Sequence, residues 1–455
     1  MNMEKLVVLG GGPGGYASAL RASQLGCQVT LIEEKELGGV CLNEGCIPTK
    51  ALIKVARFIE EIKKSKRLAI EIKDYRWDWN KIQIRKKQIV ERLRQGLNAL
   101  FKSRKINLIK GKGKIIKPNK IIINEEQEIN YEKIILATGS RAFIPPLFNC
   151  SSPYLLTSRE ALALTELPEE ISIIGAGVVG CEFAYLFSAM GVSVTLVELE
   201  DHILPGADKK CALLLEGFLR KMGIKLYLST KITNLIPEEK GIQIKLENGK
   251  NWFSPLVLVA VGREPVVEAF DTLNLEKEGK VIKVNEYLQT SLEGVYAVGD
   301  ITAGPQLAHK AIAQGKLVAE NIIKGDKKSF LSTIIPSCVY THPEYASIGK
   351  TEETLERENI KFKTITLPIQ INGRALCEEE KEGFIKLIYS PYDKKILGVH
   401  MLSALATELI SLVIPFIQAG ATLDVVTSCI YPHPTMSELW GEIVDKALGQ
   451  SIHSL

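Results

Sequence analysis

The chain lacks an apolar run long enough to cross a bilayer. Its best candidate, residues 409–421, is shorter than the roughly 20 residues of a transmembrane helix and is interrupted by Pro415. The N-terminus also lacks the apolar stretch and cleavage site of a signal peptide, because an apolar strand follows Lys5 directly. We therefore expect no membrane contact and a cytoplasmic location, or an organelle matrix after removal of a presequence.

Cysteines are scattered. Nine occur in 455 residues, and only Cys41 and Cys46 form a close pair. This distribution excludes the disulfide framework of a small secreted protein. No second pair is present to complete a zinc site with the first, so we predict no metal ion.

Acidic residues are scarce in one segment. Residues 54–114 contain 20 Lys and Arg but only 6 Asp and Glu, although the whole chain has a net charge of only +4. An acidic partner, nucleic acid or an anionic surface would each suit such a segment. Aromatic interleaving and nucleic-acid motifs are absent, so we favour a solvated helical face and predict no nucleic-acid partner.

Two stretches of the sequence repeat the order strand, glycine turn, helix, strand. The first consists of Gly10, Gly12, Gly15 and, 18 residues later, Glu33. The second, about 165 residues further on, consists of Gly175, Gly177, Gly180 and Glu198. Such glycines allow a tight turn and close approach of a pyrophosphate, the helix N-terminus stabilises the phosphates, and the carboxylate accepts hydrogen bonds from ribose. The sequence thus predicts two dinucleotide sites, one for FAD and one for a nicotinamide nucleotide.

The residues around Glu198 bear on which nicotinamide nucleotide binds. A carboxylate at this position pairs with a free 2′-hydroxyl and repels a 2′-phosphate. Residues 199–204 contain no Arg or Lys that could accept such a phosphate. The sequence therefore favours NAD over NADP.

The close cysteine pair stands beside the first dinucleotide site, between Gly38 and Lys50. With four residues between them, Cys41 and Cys46 can close a small ring at the start of a helix. A helix N-terminus and a nearby lysine lower a thiol pKa and favour the reactive thiolate. Two structural cysteines or half a metal site are the alternatives, but the neighbouring nucleotide site favours redox chemistry.

With these motifs the sequence resembles the class I pyridine nucleotide-disulfide oxidoreductases over nearly its whole length. Within that family it is most similar to the dihydrolipoyl dehydrogenases. The most specific motifs are the cysteine stretch and His433-Pro434-Thr435 with Glu438. Further motifs lie between them in the family's order: Ala137-Thr138-Gly139-Ser140, the second glycine motif with Glu182, and residues 203–206, 261–263, 296–300, 307–310, 335–337 and 340–344.

The resemblance implies roles for individual residues. Cys41 and Cys46 would form a redox-active disulfide, in which Cys41 exchanges with a dithiol substrate and Cys46 is the charge-transfer thiolate against the flavin. Lys50 would pair with Glu182 near the reactive flavin nitrogen. Gly262 and Arg263 would border the NAD site. Further cofactor contacts are implied at Lys50, Gly113, Thr138, Gly139, Ser140, Asp300, Ala308 and His309.

His433 is followed five residues later by Glu438, in a proline-bounded turn that opens a C-terminal helix. This pattern suits an acid–base group with an orienting carboxylate, and we expect no such arrangement for the other five histidines. The resemblance implies that the pair serves the disulfide of the other subunit in a homodimer. Two positions depart from the family: Tyr431 replaces a histidine, and Gln314 replaces a glutamate.

The expected fold class is α/β, with two Rossmann-like dinucleotide-binding domains, for FAD and NAD, and a C-terminal α+β dimerisation domain. We predict an FAD-binding part over residues 1–145, with a helical segment at 50–104. An NAD-binding domain follows over 146–265. A continuation of the FAD-binding domain covers 266–335, and the dimerisation domain covers 336–455.

The resemblance implies oxidation of protein-bound dihydrolipoamide with NAD⁺, within 2-oxoacid dehydrogenase or glycine cleavage complexes. The partners would be their lipoyl domains and acyltransferase core. Glutathione reductase-like or mercuric reductase-like enzymes are alternatives, but basic residues after Glu198 and a C-terminal cysteine pair are both absent. A non-catalytic docking subunit is a third alternative, against which the retained Cys41, Cys46 and His433 argue.

Overall fold

The computed structural model describes residues 5–325, 328–330 and 334–454. Residues 1–4, at the N-terminus for which we expect no signal peptide, lie outside this range. None of the described helices has the length and apolar character that a membrane span requires.

Residues 5–145 form most of a parallel sheet and a small antiparallel sheet. The parallel sheet has the order β20-β7-β1-β2-β3, in which β20 (Val295–Ala297) comes from later in the chain, and the antiparallel sheet has the order β4-β5-β6. The strands of this part of the chain are β1 (Lys5–Leu9), β2 (Gln28–Glu33), β3 (Asn107–Lys110), β4 (Gly113–Lys117), β5 (Lys120–Ile123), β6 (Gln127–Asn130), β7 (Lys133–Leu136) and β8 (Ser140–Ala142). Its helices are α1 (Pro13–Gln24), α2 (Gly39–Glu44), α3 (Cys46–Lys64) and α4 (Trp79–Ser103).

The helical segment predicted over 50–104 consists of two helices, α3 and α4, with a non-helical stretch between them. After α3, a short 3₁₀ turn over Ser65–Leu68 ends with Ala69 in the left-handed region, and residues 70–78 are not helical. Asp78 then caps a new helix, because its side chain accepts a hydrogen bond from the Lys81 N–H at 3.1 Å. A side-chain cap of this kind satisfies a backbone donor that has no partner within the helix, so α4 begins afresh.

The second unit repeats the first. Its parallel sheet has the order β12-β11-β10-β16-β9, with an antiparallel sheet β13-β14-β15 beside it. Its strands are β9 (Leu155–Leu156), β10 (Glu170–Ile174), β11 (Ser193–Val197), β12 (Lys225–Tyr227), β13 (Ile232–Glu238), β14 (Gly241–Leu246), β15 (Asn251–Ser254), β16 (Val257–Val259) and β17 (Arg263–Pro265). Its helices are α5 (Ser158–Ala163), α6 (Val178–Ala189) and α7 (Lys209–Lys221).

The chain then returns to the first sheet. The elements are β18 (Lys277–Glu278), β19 (Val281–Ile282), β20 (Val295–Ala297) and α8 (Ala308–Lys324). Strand β20 pairs in parallel with β7, and α8 packs against α1. The two parts of the first unit thus share one sheet, while the domain boundaries near 145, 265 and 335 stay predictions.

The C-terminal part is an antiparallel sheet covered by helices. The sheet order is β21-β22-β25-β24-β23, and Trp440 is buried in the core beneath it. The strands are β21 (Ser337–Val339), β22 (Glu344–Gly349), β23 (Lys363–Pro368), β24 (Phe384–Tyr389) and β25 (Ile396–Ser403). The helices are α9 (Glu352–Arg357), α10 (Gly373–Cys377), α11 (Ala406–Leu409), α12 (Ile414–Gln418), α13 (Leu423–Thr427) and α14 (Glu438–Ala447). The architecture agrees with the expected fold class.

Candidate active site

Each glycine motif forms the turn between the first strand and first helix of its unit. A Cβ atom built on Gly15 would lie 1.8 Å from the Gly10 carbonyl oxygen, and one on Gly180 equally close to the Gly175 oxygen. Only glycine therefore permits this packing. In contrast, a Cβ on Gly177 would meet no atom within 4 Å. The backbone at this turn is open on the side from which a pyrophosphate would approach the helix N-terminus.

The two carboxylates that end β2 and follow β11 are held by backbone N–H groups of the glycine turns. Glu33 accepts hydrogen bonds from Gly11 at 2.6 Å and Lys35 at 2.8 Å. Burial raises its pKa despite these two bonds. Glu198 is buried and accepts a hydrogen bond from Ala176 at 2.6 Å. Both carboxylates thus stand at the mouth of a turn, as binding of a ribose requires.

A partly buried hydrogen-bond chain joins the two units. The Ser140 hydroxyl donates to Asp300 at 2.5 Å, and the Arg263 guanidinium donates to the same hydroxyl at 2.8 Å and to the Ser140 carbonyl at 2.7 Å. The Thr138 hydroxyl donates to the Val266 carbonyl at 2.5 Å. The structure therefore turns Arg263 towards Ser140 and Asp300, while contact of Gly262 and Arg263 with NAD stays a prediction.

The remaining residues that we predict to contact FAD belong to the first unit. Gly113 begins β4, two residues after Gly111, whose N–H donates to the Glu33 carbonyl at 2.8 Å. Gly139 has a left-handed backbone between β7 and β8. Ala308 begins α8, and the imidazole of His309 contacts the Pro336 carbonyl at 2.8 Å. These positions lie near the turns described above, and their contact with FAD stays a prediction.

Gln314 has a partner that the sequence did not reveal. Its side-chain oxygen accepts a hydrogen bond from the Gly299 N–H at 2.8 Å, and its amide lies 3.3 Å from the Thr302 hydroxyl. The side chain is buried. Gln314 therefore fixes the turn that carries Asp300, and an amide serves this purpose as well as a carboxylate does.

The cysteine pair lies at the junction of two helices. Cys41 is in α2, and Cys46 is the first residue of α3. The two are free thiols in this structure, so the predicted disulfide is not tested. A hydrogen bond from Cys41, together with the Lys50 ammonium, lowers the pKa of Cys46 to about 7 in spite of burial. The same hydrogen bond, with burial, raises the pKa of Cys41 above its usual range.

A half-buried ion pair shares helix α3 with Cys46. The Lys50 ammonium is 2.8 Å from one carboxylate oxygen of Glu182 and 3.0 Å from the other. Glu182 also accepts a hydrogen bond from the Tyr340 N–H at 3.1 Å, and Lys50 lies 4.4 Å from the centre of the Tyr340 ring. Three parts of the chain thus meet here, α3, α6 and the segment after β21. Tyr340 is a member of this cluster whose role the sequence did not reveal.

The histidine pair has the predicted geometry but lies apart from the cysteines. The imidazole Nδ1 of His433 is 2.9 Å from Glu438, which also accepts the Thr435 N–H at 2.8 Å. Burial acts to raise the pKa of Glu438, but these two bonds outweigh it and lower the pKa. The side chain of His433 is 80% exposed. Within the described residues, no hydrogen bond joins His433 to a cysteine.

Among the described residues, three other histidine–carboxylate pairs correct the expectation that His433 is alone in this arrangement: His202 with Asp201, His342 with Glu380 at 3.4 Å, and His453 with Glu442. The imidazole of His453 is 2.5 Å from Glu442, one turn after Glu438 on α14. Hydrogen bonding to Glu442 raises the pKa of His453. Eleven residues separate the two partners, which is too far for a local sequence pattern to reveal.

Tyr431 stands where the family has its other histidine, and its side chain packs against neighbouring residues. Its hydroxyl donates to the Val426 carbonyl at 3.3 Å, and its ring lies against Gly441, where a Cβ would come within 2.9 Å of it. The ring therefore supports the turn that carries His433.

Among the described residues, no group of three or more His, Cys, Asp or Glu side chains could hold a metal ion. The elements that adjoin the two glycine turns carry a thiol pair on α2 and α3, an ion pair between α3 and α6, and two carboxylates bonded to the turns. Such a set suits transfer of electrons between a dithiol and a nucleotide cofactor.

Comparison with known proteins agrees with this chemistry. Residues 4–315 match the family model "Pyridine nucleotide-disulphide oxidoreductase". Residues 335–444 match the family's dimerisation domain. The dihydrolipoyl dehydrogenase of Geobacillus stearothermophilus is 36% identical over 459 residues, 98% of this chain and 97% of its own length. That of Bacillus subtilis is 35% identical over 99% of this chain and 100% of its own length.

Comparison with solved structures agrees with this family. The crystal structure of LpdA from Mycobacterium tuberculosis has a TM-score of 0.91 and 25% identity, and covers 98% of this chain and 100% of its own. The HOCl-induced flavoprotein disulfide reductase RclA from Escherichia coli, in its Cu(II) complex, has a TM-score of 0.88 and 26% identity, with coverage of 98% and 100%. The chain therefore belongs to the pyridine nucleotide-disulphide oxidoreductases, a family whose dihydrolipoyl dehydrogenases use FAD and NAD(H).

Proposed function

We propose that this protein is an enzyme that oxidises dihydrolipoyl groups to lipoyl groups and reduces NAD⁺ to NADH. The observation that carries the proposal is the placement of the Cys41–Cys46 pair, with Cys46 at the N-terminus of α3, which also carries the Lys50 of the Lys50–Glu182 ion pair, an environment that lowers the pKa of Cys46. A cysteine that is a thiolate near neutral pH is a reactive rather than a structural one. The full-length similarity to several dihydrolipoyl dehydrogenases supports the choice of substrate.

The residues of the chain account for the thiol chemistry in two exchange steps. In the first, one substrate thiolate attacks the Sγ of Cys41, the Cys41–Cys46 bond breaks, and Cys46 leaves as a thiolate. In the second, the other substrate thiolate attacks the sulfur that is bound to Cys41, so that the lipoyl disulfide forms and Cys41 leaves. Two electrons and two protons have then passed from the substrate to the protein side. Lys50 stabilises the Cys46 thiolate, and the acid–base pair of His433 and Glu438 takes up the substrate proton.

The two cofactor sites follow from the two glycine turns. We assign FAD to the first, with Gly10, Gly12, Gly15 and Glu33, because this turn is adjacent to the helix that carries Cys41. NAD is assigned to the second, with Gly175, Gly177, Gly180 and Glu198. FAD bound at the first turn would supply a two-electron carrier between the dithiol and NAD⁺. Lys50 and Glu182, which link α3 to α6, would lie between the two sites.

The active site is proposed to span a homodimer. The His433 pair lies in the dimerisation domain, highly exposed and without a hydrogen bond to either cysteine of its own chain. A twofold dimer brings the same surface of each copy against the other, so His433 of the partner subunit would serve Cys41. Coexpression of Cys46→Ser and His433→Ala variants tests this. A shared site leaves one of the two sites of the mixed dimer intact and restores activity, whereas a site within one chain leaves both damaged.

The partners and the location are proposals of the same kind. We propose lipoyl domains, and the acyltransferase core of a 2-oxoacid dehydrogenase complex, as the partners that present the substrate. A glycine cleavage system would present the same group. We also propose a cytoplasmic location, together with such a complex. The surface that docks to the acyltransferase core could be sought by copurification with the complex.

The test of the reaction is NADH formation by the flavin-loaded protein with dihydrolipoamide and NAD⁺. We expect steady turnover, and a loss of at least about 1000-fold in both Cys41→Ser and Cys46→Ser. Parallel assays with glutathione disulfide and NADPH, and with Hg(II) and NADPH, address the related enzymes. Faster turnover in either of these than with dihydrolipoamide would contradict the proposal, and inactivity with all three would favour a docking subunit.

A further inference from the structure

A cleft of about 650 Å³ opens along α4, beside the helix that carries Cys41. Asn43, which stands between the two cysteines in sequence, is one of the residues that line it. Helices α2 and α4 are in contact, so the cleft lies beside the short helix that carries Cys41. We name it the basic cleft for the charged side chains that line it: Lys86, Lys87, Arg92, Arg94 and Glu91.

The charges of the basic cleft are only partly balanced. Arg94 is paired with Glu91 and lies 3.4 Å from Glu36. Lys87 and Arg92 are exposed, and neither forms an ion pair with any residue within the described ranges. Two cations without carboxylate partners therefore remain at the opening, in the segment where basic residues greatly outnumber acidic ones.

A third cation stands in the wall of the cleft. Lys86 is only 7% exposed, and its ammonium donates to the Gln83 side chain and to the Leu162 carbonyl, both neutral groups. Burial, and then the charge of Lys87, lowers the pKa of Lys86 to about 8, so it is still mostly protonated at neutral pH. A buried cation without an anionic partner is costly, which makes an anion from outside the chain a natural complement.

We propose that the basic cleft binds a carboxylate carried by the substrate of the Cys41–Cys46 site, so that the enzyme prefers anionic dithiols to neutral ones. The inference rests on the proposed function and specifies its substrate. The carboxylate could be that of free dihydrolipoate, or an acidic side chain next to a lipoyl-lysine on a carrier protein. Attraction of either to Lys87 and Arg92 is weakened by salt, because both side chains are exposed.

The test compares a Lys87→Gln/Arg92→Gln variant with a Lys81→Gln/Lys102→Gln control. The control removes the same charge from the same helix, at exposed positions outside the cleft. For each protein, kcat/KM is measured with dihydrolipoate and with neutral dihydrolipoamide at low salt. A second pair of substrates, lipoyl-lysine peptides with aspartate or asparagine neighbours, distinguishes the two sources of the carboxylate.

We expect the anionic-to-neutral ratio of kcat/KM to fall about 5-fold in the cleft variant for at least one of the two substrate pairs. The control should keep the ratio of the wild type, and added salt should reduce the wild-type ratio towards that of the variant. Equal ratios in the cleft variant and the wild type for both pairs would overturn the inference.

A measurement that needs no turnover separates this inference from the proposed function. The thiols of the dithiothreitol-reduced protein are alkylated with iodoacetate, an anion, and with neutral iodoacetamide. The wild type should show the higher iodoacetate-to-iodoacetamide rate ratio, and the cleft variant a ratio about 5-fold lower. If lipoyl turnover is absent but this ratio falls, the proposed substrate is wrong and the anion preference stands. An unchanged ratio overturns the basic cleft as an anion site at the thiols.

Discussion

Lys50 and Glu182 should shift the pKa of Cys46 in opposite directions when each is neutralised. The positive charge of Lys50 lowers this pKa, and the negative charge of Glu182 raises it. Lys50→Met is therefore expected to raise the pKa of Cys46 above its present value of about 7, and Glu182→Gln to lower it. A purely structural role for the ion pair would give no such opposition.

The magnitude follows from how exposed the two groups are. An opposite charge nearby shifts a pKa by about 1–3 units, and because the Lys50 side chain is 32% exposed, solvent screening places the effect near the lower end. A rise of about one unit reduces the thiolate fraction at pH 7 from about half to about a tenth. Lys50→Met also leaves the 5% exposed Glu182 without its cation, which costs about 3 kcal/mol of folding stability.

The assay is alkylation of the reduced, flavin-loaded protein by iodoacetamide over a range of pH, with the label on Cys46 quantified by mass spectrometry. A Lys50→Met/Glu182→Leu variant removes both charges and avoids the unpaired carboxylate. It should be more stable than Lys50→Met alone and should place the pKa between those of the single variants. Shifts in the same direction for Lys50→Met and Glu182→Gln would refute this account of the thiolate.

Three further predictions concern single side chains. His433→Gln should lower kcat with dihydrolipoamide by about 100-fold or more, whereas the matched His453→Gln, at the second pair on α14, should stay within about 2-fold; equal losses would contradict the acid–base assignment. Glu198→Gln should narrow the preference of kcat/KM for NAD⁺ over NADP⁺ by about 10-fold, and comparable wild-type efficiency with both nucleotides would contradict the NAD assignment. Gln314→Leu should lower the free energy of unfolding in denaturant by about 2 kcal/mol, because the Gly299 N–H loses its acceptor. Gln314→Glu keeps an acceptor and should lower it less. A larger loss in Gln314→Glu than in Gln314→Leu would show that this hydrogen bond does not account for the stabilisation.

The parts of the fold that the sequence predicted are those whose constraints lie within one strand–helix–strand unit. The spacing from Gly15 to Glu33 is set by the length of one helix and one strand. The carboxylate therefore necessarily lies at the mouth of the turn. The same holds for Gly180 and Glu198. The His433–Glu438 contact was also predictable, because both partners belong to the turn that opens α14.

The parts that the sequence did not predict depend on contacts between distant segments. The Arg263–Ser140 and Ser140–Asp300 hydrogen bonds join residues 123 and 160 positions apart. Nothing in the periodicity of 50–104 marked the interruption before α4, which a single capping aspartate decides. Likewise, the basic character of this segment suggested a solvated face, and only the packed structure shows that Lys86 is buried within it.

The measurement that tests the central claim most directly is a single reduction without NAD⁺. Flavin-loaded, oxidised protein is mixed anaerobically with an equal amount of dihydrolipoamide, and its absorbance spectrum is followed. We predict a long-wavelength band in the wild type, from the Cys46 thiolate against the flavin, and no such band in Cys46→Ser. Cys41→Ser cannot form the disulfide and keeps the Cys46 thiolate, so it should show the band before any dihydrolipoamide is added. Absence of the band in flavin-loaded wild type, or its persistence in Cys46→Ser, would contradict electron transfer through this cysteine pair.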